Sequence, residues 1–534
     1  MGRNLMGKIL MGVETEYALG GQSRDAIIRV LLGLLPREVS SMPGVTPSDR
    51  FFSNGSRFYV DAGPHPELDT PECSNPTDVV RYLRAGDRML ARAMDKLPEP
   101  LSLEPGLGLF KCNVDYSGGK TTWGSHESYM HVSPPGSFQD PLVPHLVSRV
   151  IFAGAGGFNP FSDGIEFTLS PRARHLVTAV AGSSTGERGI FHTKNEPLAR
   201  RGFHRLHLLC GESLCSEIAN WLRVGTTALV VSMVDAGLDA GLPLRLKAPV
   251  GALRGFAADP TCRVTAELED RRRLTAVEIQ RHYLHAAEQH LTHASMPIWA
   301  REVCEVWART LDTLEREPES LSTTLDWAIK LAIFKKRVSQ KGIRWKDLPA
   351  WNHVIKTIVS AVHESSYKGR ATVELVLGKE TTPSPIPDTI TALTSYVESH
   401  SLSWDLLRPV INLRRELFEL DFRFGQIGEN GLFEQLERSG VLTHRAPGVE
   451  NIEEAVTQPP AEGRARVRGE YIRTCVDPEN HMCFWDSICD IKGCRKLDLS
   501  NPFVRQPKWK PLEEKEAVSR DPIHMLFDLG RRSG

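Results

Sequence analysis

The sequence predicts an α+β fold with a mainly antiparallel sheet. Two observations carry this. Strand-like patterns, with side chains alternating every second residue, crowd the first 210 positions, and helix-period patterns dominate after about 213. At 534 residues the chain is long enough for a large core and two domains.

The elements follow in order. Residues 7–19 (GKILMGVETEYAL) read as a strand in which Glu14 and Glu16 share a face. Residues 24–35 (RDAIIRVLLGLL) read as a short helix. The strand at 56–62 alternates Arg57, Tyr59 and Asp61 with Phe58, Val60 and Ala62, so one face is polar and the other apolar. Asn75-Pro76-Thr77 is a helix start, followed by Val80, Leu83, Leu90, Met94 and Leu97 at roughly helical spacing. Residues 107–115 and 126–132 read as strands around a Gly-rich turn that includes Gly118 and Gly119, and 203–210 as another strand. Helices are expected from Ser213 to Ala236 and at about 275–292, 297–316 and 321–338. Residues 339–410 have weaker periodicity and read as an insertion, helical in part, with a linker near 381–388. A large domain over 1–410 and a small charged C-terminal domain over 411–534 are therefore expected. In the latter, Arg464, Arg466 and Arg468 of GRARVRGE alternate as on one strand face.

Composition narrows the class. A net charge of −1 lacks the basic excess of many nucleic-acid binders, so no nucleic-acid partner is expected. No apolar run reaches the roughly 18 residues of a membrane span, and residues 1–13 show no signal-peptide pattern. A cytoplasmic protein without a membrane partner is expected. Ten scattered cysteines do not suggest a disulfide framework. Cys475, Cys483, Cys489 and Cys494 lack CxxC spacing and are expected to be unpaired thiols.

The chemistry-bearing residues concentrate early. Glu14, Glu16, Asp61, Glu67 and Glu72 lie on or beside candidate strands, as hard cations bound through oxygen require. Solvated surface charge is the alternative. Arg57 has the planar fork that matches phosphate oxygens, and Asp61 is a candidate general base. His126 and His207 are either ligands or structural histidines. Trp485 either stacks on a purine or packs a small core. There is no Walker A sequence and no Rossmann fingerprint.

Several long segments resemble one family. They include GVETEYAL, NGSRFYVDAGPHPELDTPEC, LFKCNVDYSGGKTTWGSHESY, FHRLHLLCGESLCSE, VGTTALV, LFEQLERSG, EEAVTQPPAEGRARVRGEYI and FWDSICD, in the family's order. The chain resembles the ligases and deamidases of the prokaryotic ubiquitin-like protein Pup, PafA and Dop. The resemblance implies a glutamine synthetase-like fold, with a curved sheet that cradles ATP and magnesium. It implies Glu14, Tyr59 and Glu67 as metal ligands, and Arg57, Thr70 and Trp485 as ATP contacts. Asp61 is implied as the catalytic aspartate, with Glu16, His126 and His207 as further metal or phosphate candidates.

The implied activity is ATP-dependent activation of a carboxylate as an acyl phosphate, then isopeptide formation with lysine. The partners would be a Pup-like protein and a lysine-bearing protein. The 47 positions between Glu14 and Asp61 resemble the compact ligases, because deamidases insert a long loop there. The alternatives are transfer to a small phosphoryl acceptor such as a nucleotide, and deamidation or depupylation. Lys194 and Asn195 replace the family's Arg and Asp, and the 339–410 insertion also departs from the family; both motivate the small-acceptor alternative.

Overall fold

A computed structural model describes residues 7–512, apart from 62, 64, 118, 120, 163, 183–186, 241–243 and 365–386. Its centre is a seven-stranded sheet. In chain order the strands are β1 (Met11–Glu16), β2 (Ser41–Pro43), β3 (Arg50–Phe52), β4 (Arg57–Asp61), β5 (His65–Asp69), β6 (Ser125–His131) and β7 (His204–Leu208). Their spatial order is β7-β6-β1-β5-β4-β3-β2, and every pairing is antiparallel.

Alternation decides the two faces. Val13, Phe58, Leu68, Tyr129 and Leu206 are buried on one side and join the main core. The helices Pro76–Asp95 and Glu217–Asp235 pack there. The first starts where the sequence indicates: the Asn75 side chain accepts from the Asp78 amide at 2.8 Å, with Pro76 at the first helical position. The second is buried over nearly its whole length and is capped by Ser216. One charged group shares this apolar side. Glu127 is fully buried and accepts two bonds from Arg149, at 2.6 and 2.8 Å.

The strand at 107–115 is shorter than expected. Gly108–Phe110 pairs with Ala18–Gly20 outside the main sheet. The expected helices form as Arg24–Glu38, Ala276–Gln289, Ala300–Arg316 and Asp326–Gln340. The hairpin β2–β3 was not evident from the sequence, because each strand has only three residues.

The expected insertion supplies the helices Leu348–Glu364 and Pro387–Ser399, and most of the expected linker lies outside the described residues. Position 410, the expected boundary, falls inside the helix Leu407–Gly425. This helix packs backwards: Phe418 stacks on Tyr116 at 4.1 Å, and Leu413 and Leu417 join a second core with Phe158 and Phe334.

The arginines of GRARVRGE lie on a helix, Gly463–Thr474, and not on a strand. Beyond it, β8 (His481–Cys483), β9 (Ser487–Asp490), β10 (Arg495–Asp498) and β11 (Trp509–Pro511) form an antiparallel sheet. Its core contains Ile472, Ile488 and Leu497, together with Met42 and Phe51 from β2 and β3. The C-terminal sheet is thus seated on one end of the main sheet. Among the described residues, no helix is long and apolar enough to cross a membrane.

Candidate active site

The polar face of the sheet is assembled by register. Arg57 lies opposite Asp69, Tyr59 opposite Glu67, and Asp61 opposite His65. Glu14 lies between Asp69 and His126, and Glu16 opposite Glu67. Four neighbouring strands therefore present Glu14, Glu16, Arg57, Tyr59, Asp61, Glu67, Asp69 and His126 on one face, and β7 adds Arg205 and His207.

Glu14 is the most heavily contacted of the carboxylates. His207 Nε2 lies 3.1 Å from its Oε2, His126 Nδ1 lies 3.4 Å away, and Arg205 donates to its other oxygen. Burial works to raise the Glu14 carboxyl, but His207, Arg205 and His126 hold it well below its ordinary value. Burial also lowers His207, against the pull of Glu14. Glu16 accepts from the Gly124 amide at 2.8 Å.

The neighbouring acids behave oppositely. Burial, then Asp69 and Glu14, push Glu67 well above the carboxylate range. Burial and then Glu14 do the same to Asp69, against Arg57. Tyr59 is pushed up by burial, Asp69 and Glu67. Glu67 Oε1 and Asp69 Oδ1 are buried and have no hydrogen-bond partner among the described residues. Crowded carboxylates with orphaned oxygens are the donor set a hard divalent cation uses, so magnesium fits here. Two sets of side chains bring their ligand atoms within 4.8 Å of one another: Glu14, His126 and His207, and Glu16, Asp61 and Glu67.

Two clefts open on this face. The first, about 310 Å³, is lined by Gly12, Glu14, Arg57, Tyr59, Asp69, Thr70 and Arg205 of the sheet, together with Lys194, Arg464 and Trp485. The second, about 730 Å³, is lined by Glu16, Asp61, His65, Trp123, His126, Arg172 and Arg188. Asp61 is exposed, in the second cleft, while Arg57, Tyr59 and Thr70 line the first. Sequence alternation placed all three strand residues on one face; only the fold divides them between two clefts.

Some expected contacts are differently engaged. The Arg57 fork is taken by Asp49, at 2.8 and 2.9 Å, and its guanidinium lies 4.2 Å from the Tyr59 ring. The Thr70 hydroxyl accepts from the Val13 amide at 3.0 Å, tying the end of β5 to β1. Trp485 reaches the first cleft from the C-terminal sheet, packed edge-on to Phe51 at 5.2 Å. Arg468 lies 4.7 Å from the Trp485 ring and donates to Glu72 at 2.6 Å, and Arg464 donates to the same carboxylate at 2.6 Å.

Lys194 pairs with Glu196 at 3.0 Å. Asn195 accepts from the Arg205 amide at 3.0 Å and so braces the edge strand β7. Sequence reasoning passed over Asp69, although it is two residues from Glu67 on the same face. Asp49 and Arg205 had no such signal, since their approach depends on the sheet order.

An antiparallel sheet with carboxylates on its open face, covered at one end by a tryptophan from a small C-terminal sheet, defines the glutamine synthetase-like class. The model of the Pup-ligase protein family matches residues 24–358 and 390–489. The chain belongs to that family. Only 359–389 lies unmatched between the two spans, so both ends of the insertion expected at 339–410 match the family. The chain is 34% identical to Pup–protein ligase 1 of Rhodococcus erythropolis over 355 residues, 64% of this chain and 77% of the relative. It is 36% identical to a depupylase of Acidothermus cellulolyticus over 301 residues, 55% of this chain and 59% of the relative. The solved complex between Pup and its ligase PafA has the same fold, with a TM-score of 0.67 at 24% identity, covering 97% of this chain and 93% of that one.

Proposed function

We propose that the protein is an ATP-dependent ligase that joins the terminal glutamate of a Pup-like protein to lysine. The observation that carries this reading is the pair of clefts on one sheet face, meeting at Glu14, Glu16 and His126. ATP occupies the first cleft, its base against Trp485. The donor carboxylate and the lysine enter the second, beside Asp61. The γ-phosphoryl group passes to a carboxylate oxygen and gives ADP and an acyl phosphate. Asp61 takes a proton from the lysine amine, which attacks the acyl carbon as phosphate leaves. Glu14, Glu67 and Asp69, with Glu16, would hold magnesium, which when bound neutralises charge on the phosphates. Arg205, fixed by Ser128 at 3.0 Å and paired with Glu14, adds positive charge at the same place.

The ligase relative aligns over 77% of its length and the depupylase over 59%, which favours the ligase reading. The short path from Glu14 to Asp61 favours it too, since between β1 and β4 it holds only the short strand Ala18–Gly20, the helix Arg24–Glu38 and the β2–β3 hairpin with their connections. We assign the reaction to the cytoplasm because it consumes ATP. The test uses the full chain with ATP, magnesium, a Glu-ended Pup-like protein and a lysine-bearing protein, followed by mass spectrometry. Isopeptide should form in step with ADP. Cleavage of a preformed isopeptide without net loss of ATP would establish a depupylase instead.

A further inference from the structure

One buried carboxylate behind the first cleft has no part in the proposed chemistry. Asp49 ends the turn between β2 and β3 and is 1% exposed. The Gly44 amide donates to the Asp49 carbonyl at 2.8 Å, and the Val45 amide to Asp49 Oδ2 at 2.9 Å. A Cβ on Gly44 would lie 2.2 Å from Asp49 Cγ, so glycine is what lets the turn fold this carboxylate inward. There it meets one edge of the Arg57 guanidinium. Nε donates to Oδ1 at 2.8 Å and Nη2 to Oδ2 at 2.9 Å.

Aromatic rings hold Arg57 as well. The guanidinium carbon lies 5.5 Å from the centre of the Phe51 ring and 4.2 Å from that of Tyr59. One nitrogen is left, Nη1. It has no hydrogen-bond acceptor among the described residues, and it lies 3.7 Å from Asp69 Oδ2. Arg57 and Asp69 both line the first cleft. On charge alone, a carboxylate behind a phosphate site is unfavourable, because it repels the anion and occupies half of the fork. Without Asp49, however, the fork would be open to Asp69, whose carboxylate belongs to the metal set.

We propose that Asp49 is a positioning residue, which holds Arg57 by two bonds so that Nη1 meets a nucleotide phosphate and the fork stays off Asp69. This rests on the reading of the first cleft as the ATP site. Asp49 touches neither nucleotide nor metal, and acts only through Arg57. Its two bonds order a long side chain before the nucleotide arrives, which lowers the ordering cost of binding.

The test is calorimetry of the full chain with magnesium and AMP-PNP, a non-hydrolysable ATP. Asp49→Asn keeps the side chain's size and removes its charge and one of its two acceptors. Positioning predicts a dissociation constant raised by about 10-fold, the usual effect of losing one charge-assisted hydrogen bond. Charge alone predicts the opposite sign, so a tighter or unchanged constant would overturn the proposal. A double-mutant cycle separates positioning from a general loosening of the fold. In an Arg57→Gln background, Asp49→Asn should add less than about 2-fold. Losses that multiply in full would show that Asp49 acts independently of Arg57, and would also overturn the proposal. Arg57→Lys decides the matter if Asp49→Asn does not fold. It keeps the charge but cannot fill both Asp49 oxygens with a planar fork, so it should weaken AMP-PNP by about 10-fold, and wild-type affinity would refute the role of Asp49. If the wild-type protein binds no AMP-PNP, the first-cleft reading fails and the role of Asp49 with it. Wild-type binding that ignores Asp49→Asn removes the positioning role alone.

Discussion

Asp61 ends the motif strand on an exposed position, so its replacement costs little in packing. It lies in the second cleft, with ligand atoms close to those of Glu16 and Glu67, and the proposed reaction uses it as the base and not as a nucleotide contact. Asp61→Asn should leave the ATP dissociation constant within about 3-fold of wild type and lower isopeptide formation by about 100-fold or more. Calorimetry and a rate assay read the two quantities separately. An unchanged rate would remove Asp61 from the mechanism. The residue types were legible at this scale: a cation, a phenol and a carboxylate at a spacing of two predicted a polar strand face. Their partners were not. Asp49 reaches Arg57 from a turn, and Arg205 reaches Glu14 from a strand 191 residues away. Such approaches are set by sheet order, which no local pattern encodes.

The helix Gly463–Thr474 shows where the reading of elements failed. Arg464, Arg466 and Arg468 alternate as on a strand, but Arg464 and Arg468 are also four apart, one helical turn. Both spacings fit so polar a segment, and apolar periodicity was too sparse to decide. As a helix it directs Arg464 and Arg468 to Glu72, while Arg466 turns outward to Glu470. Burial opposes the charge on Glu72, but Arg468 and Arg464 hold its carboxyl at about 2. A depressed folded-state pKa stabilises above the unfolded value, near 4.5, and that contribution is lost as pH falls toward 2. The lowering corresponds to at most about 3 kcal/mol. Urea unfolding followed by tryptophan fluorescence should show wild type losing more stability than Glu72→Gln between pH 5 and pH 3. Parallel losses in the two proteins would contradict the clamp.

For the whole molecule, the sheet was legible because its strands carry a simple polar–apolar alternation and its helices carry caps. What was not legible was the division of the polar face into two clefts. That depends on the C-terminal sheet docking on β2 and β3 through Met42 and Phe51, which brings Trp485 over one cleft and leaves Asp61 in the other. In the proposed reaction this arrangement keeps the nucleotide and the acceptor apart, with the carboxylates between them. The central claim of the proposed reaction is an acyl phosphate formed at that boundary. The direct measurement uses a donor peptide whose terminal carboxylates carry ¹⁸O, with ATP, magnesium and a lysine acceptor. One ¹⁸O should appear in the inorganic phosphate for each isopeptide formed, because the leaving phosphate takes an oxygen from the carboxylate. Isopeptide formation with unlabelled phosphate, or phosphate released without isopeptide, would contradict the account.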